Sequence, residues 1–192
     1  MKIVFQNYEI EITDDKLYRN KSTDNNFAYD FVYLDEEANQ YRSSNHAIKI
    51  FQDGQLLKSA IVCAVGGATG IHPNSAVVKD DNLYVACANK VFSVSLPDLT
   101  LRWATEVDWA TCFGIYQADD GLFTHGELFV CRLETDGQIA WREFLRDIIV
   151  TLSDKKSFIL HDDYIELEDF EGNQYKLDFN GEFIERKLKD TL

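Results

Sequence analysis

Proline is scarce in this sequence of 192 residues: only Pro73 and Pro97 occur, so no proline-rich linker divides the chain. No window approaches the roughly 18 consecutive apolar residues of a membrane span. The apolar run that follows Met1 is too short for the core of a secretory signal. Because one domain is the default at this length, we expect a single cytoplasmic domain, residues 1–192, with no membrane segment.

Cysteine and histidine are also few, and neither shows the spacing of a metal site. The four histidines form no HExxH or His-x-His pattern. The four cysteines include no Cys-x-x-Cys pair and lie in apolar contexts, which is typical of buried, reduced thiols: Cys63, Cys87, Cys112 and Cys131. We therefore expect no metal and no cofactor.

Basic residues are outnumbered, with 19 Lys and Arg against 33 Asp and Glu and a formal net charge of -14. This charge opposes binding to nucleic acid or to anionic membranes, because both require clustered Lys and Arg. It leaves a basic protein or a cation as the expected kind of partner. The plainer interpretation is the solvated acidic surface of a cytosolic protein.

Aromatic residues, at 13%, are plentiful, and together with β-branched residues they favour pleated sheets. The sequence also contains a repeat in which a turn residue lies between two strands of alternating polarity. The four turn residues are 45, 38 and 44 positions apart along the chain: Asp53, Asp98, Asp136 and Asn180. Three of these turns continue with glycine, the pattern of tight hairpins: Gly54, Gly137 and Gly181. In the second copy Leu99 stands in place of the glycine.

Each copy reads as four short antiparallel strands in about 40 residues, the size of a β-propeller blade. The predicted units are residues 27–66, 75–108, 113–150 and 156–189, preceded by N-terminal strands and a turn in residues 1–26. The predicted fold is all-β, with about four propeller-like repeats forming a small or incomplete propeller. Three closures stay open: a four-unit ring, an arc with residues 1–12 covering an edge, or a homo-oligomer that completes a larger ring.

Residues 93–103 resemble the tryptophan-docking repeat of quinoprotein-like (PQQ-type) propellers, with a small residue first, a turn in the middle and Trp103 last. Residues 131–141 have the same spacing and end in Trp141. In that family the tryptophan packs between neighbouring blades, so the resemblance implies a propeller and this docking role for both residues. The third position is not acidic in either copy, and the outer copies lack the tryptophan. The resemblance implies a fold and no activity.

The loops hold several candidate functional residues. His72 lies in a glycine-rich loop and could act as an acid or base near neutral pH, although a hydrogen-bonded loop residue is the commoner interpretation. The loop at residues 66–70 lacks the Gly-Lys-Ser/Thr ending of a P-loop, so a plain connection is favoured over a phosphate cradle. Asp119 and Asp120 form one of several acidic pairs, which fit turn chemistry better than the facing carboxylates of a glycosidase.

Trp109 lies outside the repeat register, beside Asp108 and in the connection between two units. Trp and Tyr are enriched at protein-binding hot spots, and core packing is the alternative. The candidate binding residues are Trp109, Asp108, Tyr116, His72, Asp119 and Asp120.

These observations favour a non-catalytic, acidic binding module for a protein partner, with no catalytic residue assigned. One concrete version is a bacterial immunity or inhibitor protein that neutralises a cationic toxin. The alternative is an enzyme with a site at the propeller centre, such as a sugar-active hydrolase or lyase.

Overall fold

The computed structural model describes residues 1–118, 121–152 and 155–189, which form four sheets and one short helix. Sheet 1 contains β1 (Lys2–Phe5), β2 (Tyr8–Asp14), β3 (Phe31–Tyr33), β4 (Ser44–Gln52) and β5 (Gln55–Ala64). Sheet 2 contains β6 (Ala76–Lys79), β7 (Asn82–Cys87), β8 (Lys90–Ser95) and β9 (Leu101–Glu106). Sheet 3 contains β10 (Cys112–Ala118), β11 (Gly121–Gly126), β12 (Phe129–Leu133) and β13 (Ile139–Phe144). Sheet 4 contains β14 (Phe158–Leu160), β15 (Tyr164–Glu168), β16 (Gln174–Asp178) and β17 (Phe183–Lys187).

Sheets 2, 3 and 4 are antiparallel, and their strands pair in chain order. The prediction of an all-β chain with about four such repeats is confirmed. The final hairpin of each of these sheets turns at the residue that follows the predicted turn residue, where the backbone φ is positive: Leu99 (57°), Gly137 (88°) and Gly181 (87°). The hairpin of β4 and β5 turns in the same way at Gly54, where φ is 76°.

Sheet 1 differs from the predicted unit of residues 27–66 because it also contains β1 and β2. Its strand order is β1-β2-β4-β5-β3, and β3 runs parallel to β5. Ile10 and Ile12 of β2 are fully buried in the same apolar cluster as Ile48 and Ile50 of β4, which explains why the N-terminal strands join this sheet. Helix α1 (Glu36–Tyr41) was not predicted; Asp35 caps its N-terminus by accepting a hydrogen bond from the Ala38 amide.

The described residues form four apolar clusters, three of which each lie between two successive sheets. Ile50 and Phe92 belong to the cluster of sheets 1 and 2, and Leu122 lies in the cluster of sheets 2 and 3. Ile165 belongs to the cluster of sheets 3 and 4. Since no cluster of the described residues joins sheet 4 to sheet 1, the four sheets form an open array.

The two end faces of the array are covered in different ways. On the outer face of sheet 1, Tyr18 from the segment between β2 and β3 packs on Ile61 and Cys63. The outer face of sheet 4 is polar, where the Lys176 ammonium lies 3.3 Å and the Lys187 ammonium 2.9 Å from carboxylate oxygens of Glu185. Within the described ranges, no helix is long and apolar enough to cross a bilayer.

Candidate functional site

Two tryptophans join successive sheets by docking on a turn glycine. A Cβ atom at Gly137 would lie 2.5 Å from Cδ2 of Trp103, so the indole of sheet 2 lies directly against the hairpin turn of sheet 3. Trp141 of sheet 3 has the same relation to Gly181 of sheet 4, at 2.8 Å. The Trp103 Nε1 donates to the Thr135 carbonyl at 2.9 Å, and the Trp141 Nε1 donates to the Phe179 carbonyl at the same distance. Each indole therefore bridges two neighbouring repeats.

The docking contact stops at both ends of the array. A Cβ atom at Gly54, the turn glycine of sheet 1, would meet nothing within 4 Å. In sheet 4 the position that corresponds to the tryptophan holds Glu185, which pairs with lysines on the outer face. Between sheets 1 and 2, Tyr33 replaces the tryptophan: its hydroxyl donates to the Leu99 carbonyl at 2.8 Å and accepts from the Leu101 amide at 3.2 Å.

Trp109 lies at the surface, with 67% of its area exposed. Its ring packs edge-on against Phe129, with centroids 4.8 Å apart, and Phe129 in turn lies 5.9 Å from Phe144, which is 56% exposed. The guanidinium of Arg142 lies 4.9 Å from the Phe129 centroid. These four residues, Trp109, Phe129, Phe144 and Arg142, form what we call the Trp109 patch. Its two exposed rings place Trp109 outside the core.

Asp108 is fully buried and has a structural role. One carboxylate oxygen accepts from the amides of Ala110 and Thr111, at 2.7 and 3.2 Å. The other oxygen accepts from the amides of Leu128 and Phe129, at 2.8 and 2.9 Å. The sequence prediction placed Asp108 among the binding residues, but its carboxylate holds the loop of Trp109 against the turn before β12 and has no surface to offer.

His72 and Tyr116 come together through Asn74. The His72 Nε2 lies 2.7 Å from the Phe113 carbonyl, and its Nδ1 accepts from the Asn74 amide at 3.2 Å, so we assign the proton to Nε2. The Asn74 side chain donates to the Tyr116 hydroxyl at 3.1 Å. The Tyr116 ring stacks on Phe158 at 4.4 Å, and burial raises the pKa of its hydroxyl. Both ring nitrogens of His72 are thus engaged in holding the loop.

The remaining predicted binding residues, Asp119 and Asp120, lie outside the described residues. In the part of the chain that is described, no hydrogen bond or ring contact links His72 or Tyr116 to the Trp109 patch. The predicted binding residues that the structure describes therefore fall into two separate groups.

The four cysteines and His125 are buried and unsuited to surface chemistry. All four cysteines are buried, and burial raises the pKa of the Cys63 thiol to about 12. Burial lowers the pKa of His125 to about 4. Across the described ranges, no three His, Cys, Asp or Glu side chains are grouped closely enough to hold a metal ion.

Sequence reasoning missed a polar cleft of about 700 Å³ beside sheet 1. Its lining includes three basic side chains, Lys16, Arg19 and Arg42, together with residues 68–70 of the glycine-rich loop. The basic residues lie in two polar stretches that resemble ordinary surface loops, so nothing in the sequence signals that they meet.

Compared by sequence, the chain matches no protein-family model and no curated protein. Compared by structure, it is similar to BamB from Moraxella catarrhalis, with a TM-score of 0.51 and 12% identity over 73% of this chain and 43% of that one. It is also similar to the computationally designed Ika8 protein, with a TM-score of 0.50 and 9% identity over 74% of this chain and 45% of that one. The AfRom2 CNH domain gives a TM-score of 0.46 and 14% identity over 75% of this chain and 47% of that one.

The match spans less than half the length of each of these three chains, and at such identities the likeness concerns the fold alone. BamB is a PQQ-like β-propeller. The strand order of sheets 2 to 4 and the likeness to BamB together identify the chain as an almost entirely β protein built from propeller-like repeats.

Proposed function

We propose that this chain is a non-catalytic binding module whose protein partner contacts the Trp109 patch. The observation that carries the proposal is the exposure of Trp109, 67% of whose surface faces solvent although the ring is braced by Phe129. Large aromatic rings that are exposed on a rigid support are typical of interface hot spots. A partner that covers Trp109 and Phe144 would remove two aromatic surfaces from water at once.

The support beneath the patch is rigid. Four backbone amides fix the Asp108 carboxylate, so the residue beside Trp109 cannot move without breaking buried hydrogen bonds. Phe129, the ring on which Trp109 rests, is itself buried in the cluster of sheets 2 and 3. A prearranged surface of this kind loses little conformational entropy when a partner binds.

Charge supports a basic partner. The net charge of -14 attracts a cationic protein over a distance and accelerates its encounter with the patch. An immunity or inhibitor protein that neutralises a cationic toxin is the version of this function that the size and charge favour most. The enzyme alternative requires two facing carboxylates, and Glu9, Glu11 and Asp53 in the lining of a cleft beside β1 and β2 are the candidates for such a pair.

The test is affinity capture from the native cell extract with three immobilised forms of the chain: wild type, Trp109→Ser and Tyr41→Ser. Tyr41 is 75% exposed and lies in α1, so its substitution is a matched loss of an exposed aromatic ring. We expect wild type and Tyr41→Ser to retain the same basic protein, Trp109→Ser to lose it, and added salt to weaken its capture. Equal capture by all three forms, or a captured protein that is acidic and salt-insensitive, would contradict the proposal.

A further inference from the structure

The polar cleft beside sheet 1 is built from three separate parts of the chain. Asp14, Lys16 and Arg19 come from the end of β2 and the segment after it, and Arg42 comes from the connection between α1 and β4. Residues 68–70 of the glycine-rich loop form the third part. At about 700 Å³ the cleft has the size of a small-molecule site.

Two arginines of this cleft converge on one oxygen atom. Nη1 of Arg19 donates to the Tyr18 carbonyl at 3.0 Å, and Nη2 of Arg42 donates to the same carbonyl at 3.3 Å. The shared acceptor brings the two nitrogens within about 6 Å of each other, a distance at which like charges repel. Such a pair is stabilised when an anion lies between or beside the two guanidinium groups.

The described residues supply no such anion to the arginines. Neither Arg19 nor Arg42 takes part in an ion pair of the described chain, although the sequence has 33 acidic residues. Asp14, the carboxylate in the lining, lies 3.6 Å from the Lys16 ammonium. Asp15, which follows it, accepts hydrogen bonds from the Tyr18 amide and the Tyr29 hydroxyl.

Two polar atoms of the lining residues also have hydrogen-bonding capacity left over. Nε of Arg42 and Oδ1 of Asn45 are buried, and neither has a hydrogen-bond partner in the described chain. Asn45 as a whole is 6% exposed, and its Nδ2 donates to the Asp15 carbonyl at 3.2 Å. Nε of Arg42 is a donor that an oxyanion can satisfy, whereas Oδ1 of Asn45 is an acceptor, which a water molecule or a hydroxyl group of the ligand would satisfy.

The glycine-rich loop is held in a fixed position against the cleft. The Thr69 amide donates to Oγ of Ser44 at 2.8 Å, and Oγ1 of Thr69 accepts from the Ala88 amide at 3.0 Å. The Thr69 carbonyl lies 3.2 Å from Nε2 of the buried His46. A Cβ atom at Gly70 would meet nothing within 4 Å, so this position opens onto free space.

The geometry points to a second binding site: this cleft takes a small molecule that carries an oxyanion group, a phosphate or a carboxylate. Both groups accept paired hydrogen bonds from guanidinium forks. Three basic side chains against one carboxylate give the lining a positive charge in a strongly acidic chain, so the cleft differs in charge from the surface around it. The site is separate from the Trp109 patch, and neither proposal depends on the other.

Isothermal titration calorimetry of the whole chain with inorganic phosphate, pyrophosphate and citrate tests this site by measuring the dissociation constant and stoichiometry of each anion. Chloride is added to hold the ionic strength constant. Arg19→Gln removes one exposed guanidinium, and Gly70→Glu adds a carboxylate where the structure leaves room. Arg102→Gln, at an exposed position of β9, is the control that makes the same change in net charge elsewhere. Near-ultraviolet circular dichroism checks that each variant is folded.

We expect one anion to bind with one-to-one stoichiometry, and its dissociation constant to rise about tenfold or more in Arg19→Gln and in Gly70→Glu. Arg102→Gln should bind as wild type does. Tighter binding of the phosphates would identify a phosphorylated ligand, and tighter binding of citrate a polycarboxylate. If none of the three anions binds more tightly than chloride, or if Arg19→Gln and Arg102→Gln behave alike, the site is refuted.

Discussion

The indole of Trp103 lies so close to Gly137 that a Cβ atom there would approach its Cδ2 to 2.5 Å. Gly137 is therefore constrained twice, by its φ of 88° and by the ring that covers it. Gly54 has the first constraint without the second, since its φ is 76° and its Cβ position is open. Alanine substitutions at the two glycines therefore distinguish two contributions to the loss of stability: backbone strain alone at Gly54, and backbone strain together with a blocked tryptophan contact at Gly137.

Gly54→Ala should destabilise the chain by about 1 to 2 kcal/mol, the cost of a left-handed conformation for an L-residue. Gly137→Ala should cost about 1 to 3 kcal/mol more, because the new methyl group also displaces the Trp103 ring. Urea denaturation followed by circular dichroism measures both changes. Equal losses in the two variants would show that the tryptophan does not press on the turn.

Trp103→Ala should lower the free energy of unfolding by about 2 to 3 kcal/mol, below the range for a fully buried tryptophan because the ring is only half-buried. Trp141→Ala should behave in the same way. Trp109→Ala is the control, since its ring is 67% exposed and should change stability by less than about 1 kcal/mol. Thermal and urea unfolding of the three variants measures these changes in unfolding free energy. A larger loss of stability in Trp109→Ala than in Trp103→Ala or Trp141→Ala would contradict the prediction.

Leu99 is a buried leucine at a φ of 57°, in the position where the other hairpins have glycine. Leu99→Ala and Leu99→Gly should both destabilise the chain by about 2 to 5 kcal/mol through the lost side chain. Glycine relieves the backbone strain, so Leu99→Gly should be as stable as Leu99→Ala or about 1 kcal/mol more stable. At Leu83, a buried strand residue of β7, the order should be reversed and alanine should be better than glycine. The same order at both positions would contradict this account.

His125 should make the fold sensitive to mild acid. Burial lowers its pKa from 6.5 to about 4 in the folded chain, and the unfolded chain takes up this proton first as the pH falls. The contribution of neutral His125 is therefore fully present above pH 6.5 and is lost as the pH falls towards 4, by up to about 3 kcal/mol.

Unfolding free energies measured between pH 4 and 7 test this dependence, with His125→Gln as the comparison. Glutamine keeps an amide donor for the Ile149 carbonyl, which the His125 Nε2 contacts at 2.9 Å, and does not titrate. The unfolding free energy of the variant should depend less steeply on pH between 4 and 7, by an amount that corresponds to the uptake of up to one proton on unfolding. Parallel profiles for the two proteins would assign the acid sensitivity to other groups.

The repeats could be predicted from the sequence because their signals are local. Alternating strands around the turn residue Asp98 predicted a four-stranded unit over residues 75–108, and the four strands of sheet 2 run from Ala76 to Glu106. Helix α1 was not predicted, because it lies in a polar stretch. The parallel pairing of β3 with β5 was not predicted either, because it joins strands that are distant in the chain. Both elements contact β5, and this tertiary contact decides their structure.

The candidate sites depend on tertiary structure to a greater degree. The same sequence fits a buried or an exposed Trp109, and only the folded chain shows the ring at the surface. In the sequence Asp108 resembles an exposed acidic residue. In the folded chain, two amides of the turn before β12 donate to its carboxylate, and this contact could not be predicted from the local sequence. Arg19 and Arg42 are 23 positions apart and meet only because both contact the Tyr18 carbonyl.

The ion pairs of Glu185 on the outer face of sheet 4 affect how copies of this protein can meet in solution. Stacked sheets with two bare apolar ends would add to one another head to tail and grow into filaments. One copy that approached sheet 4 of another would have to strip water from charged side chains, while sheet 1 presents a face already shielded by its own chain. Concentrated solutions of the protein should therefore resist polymerisation.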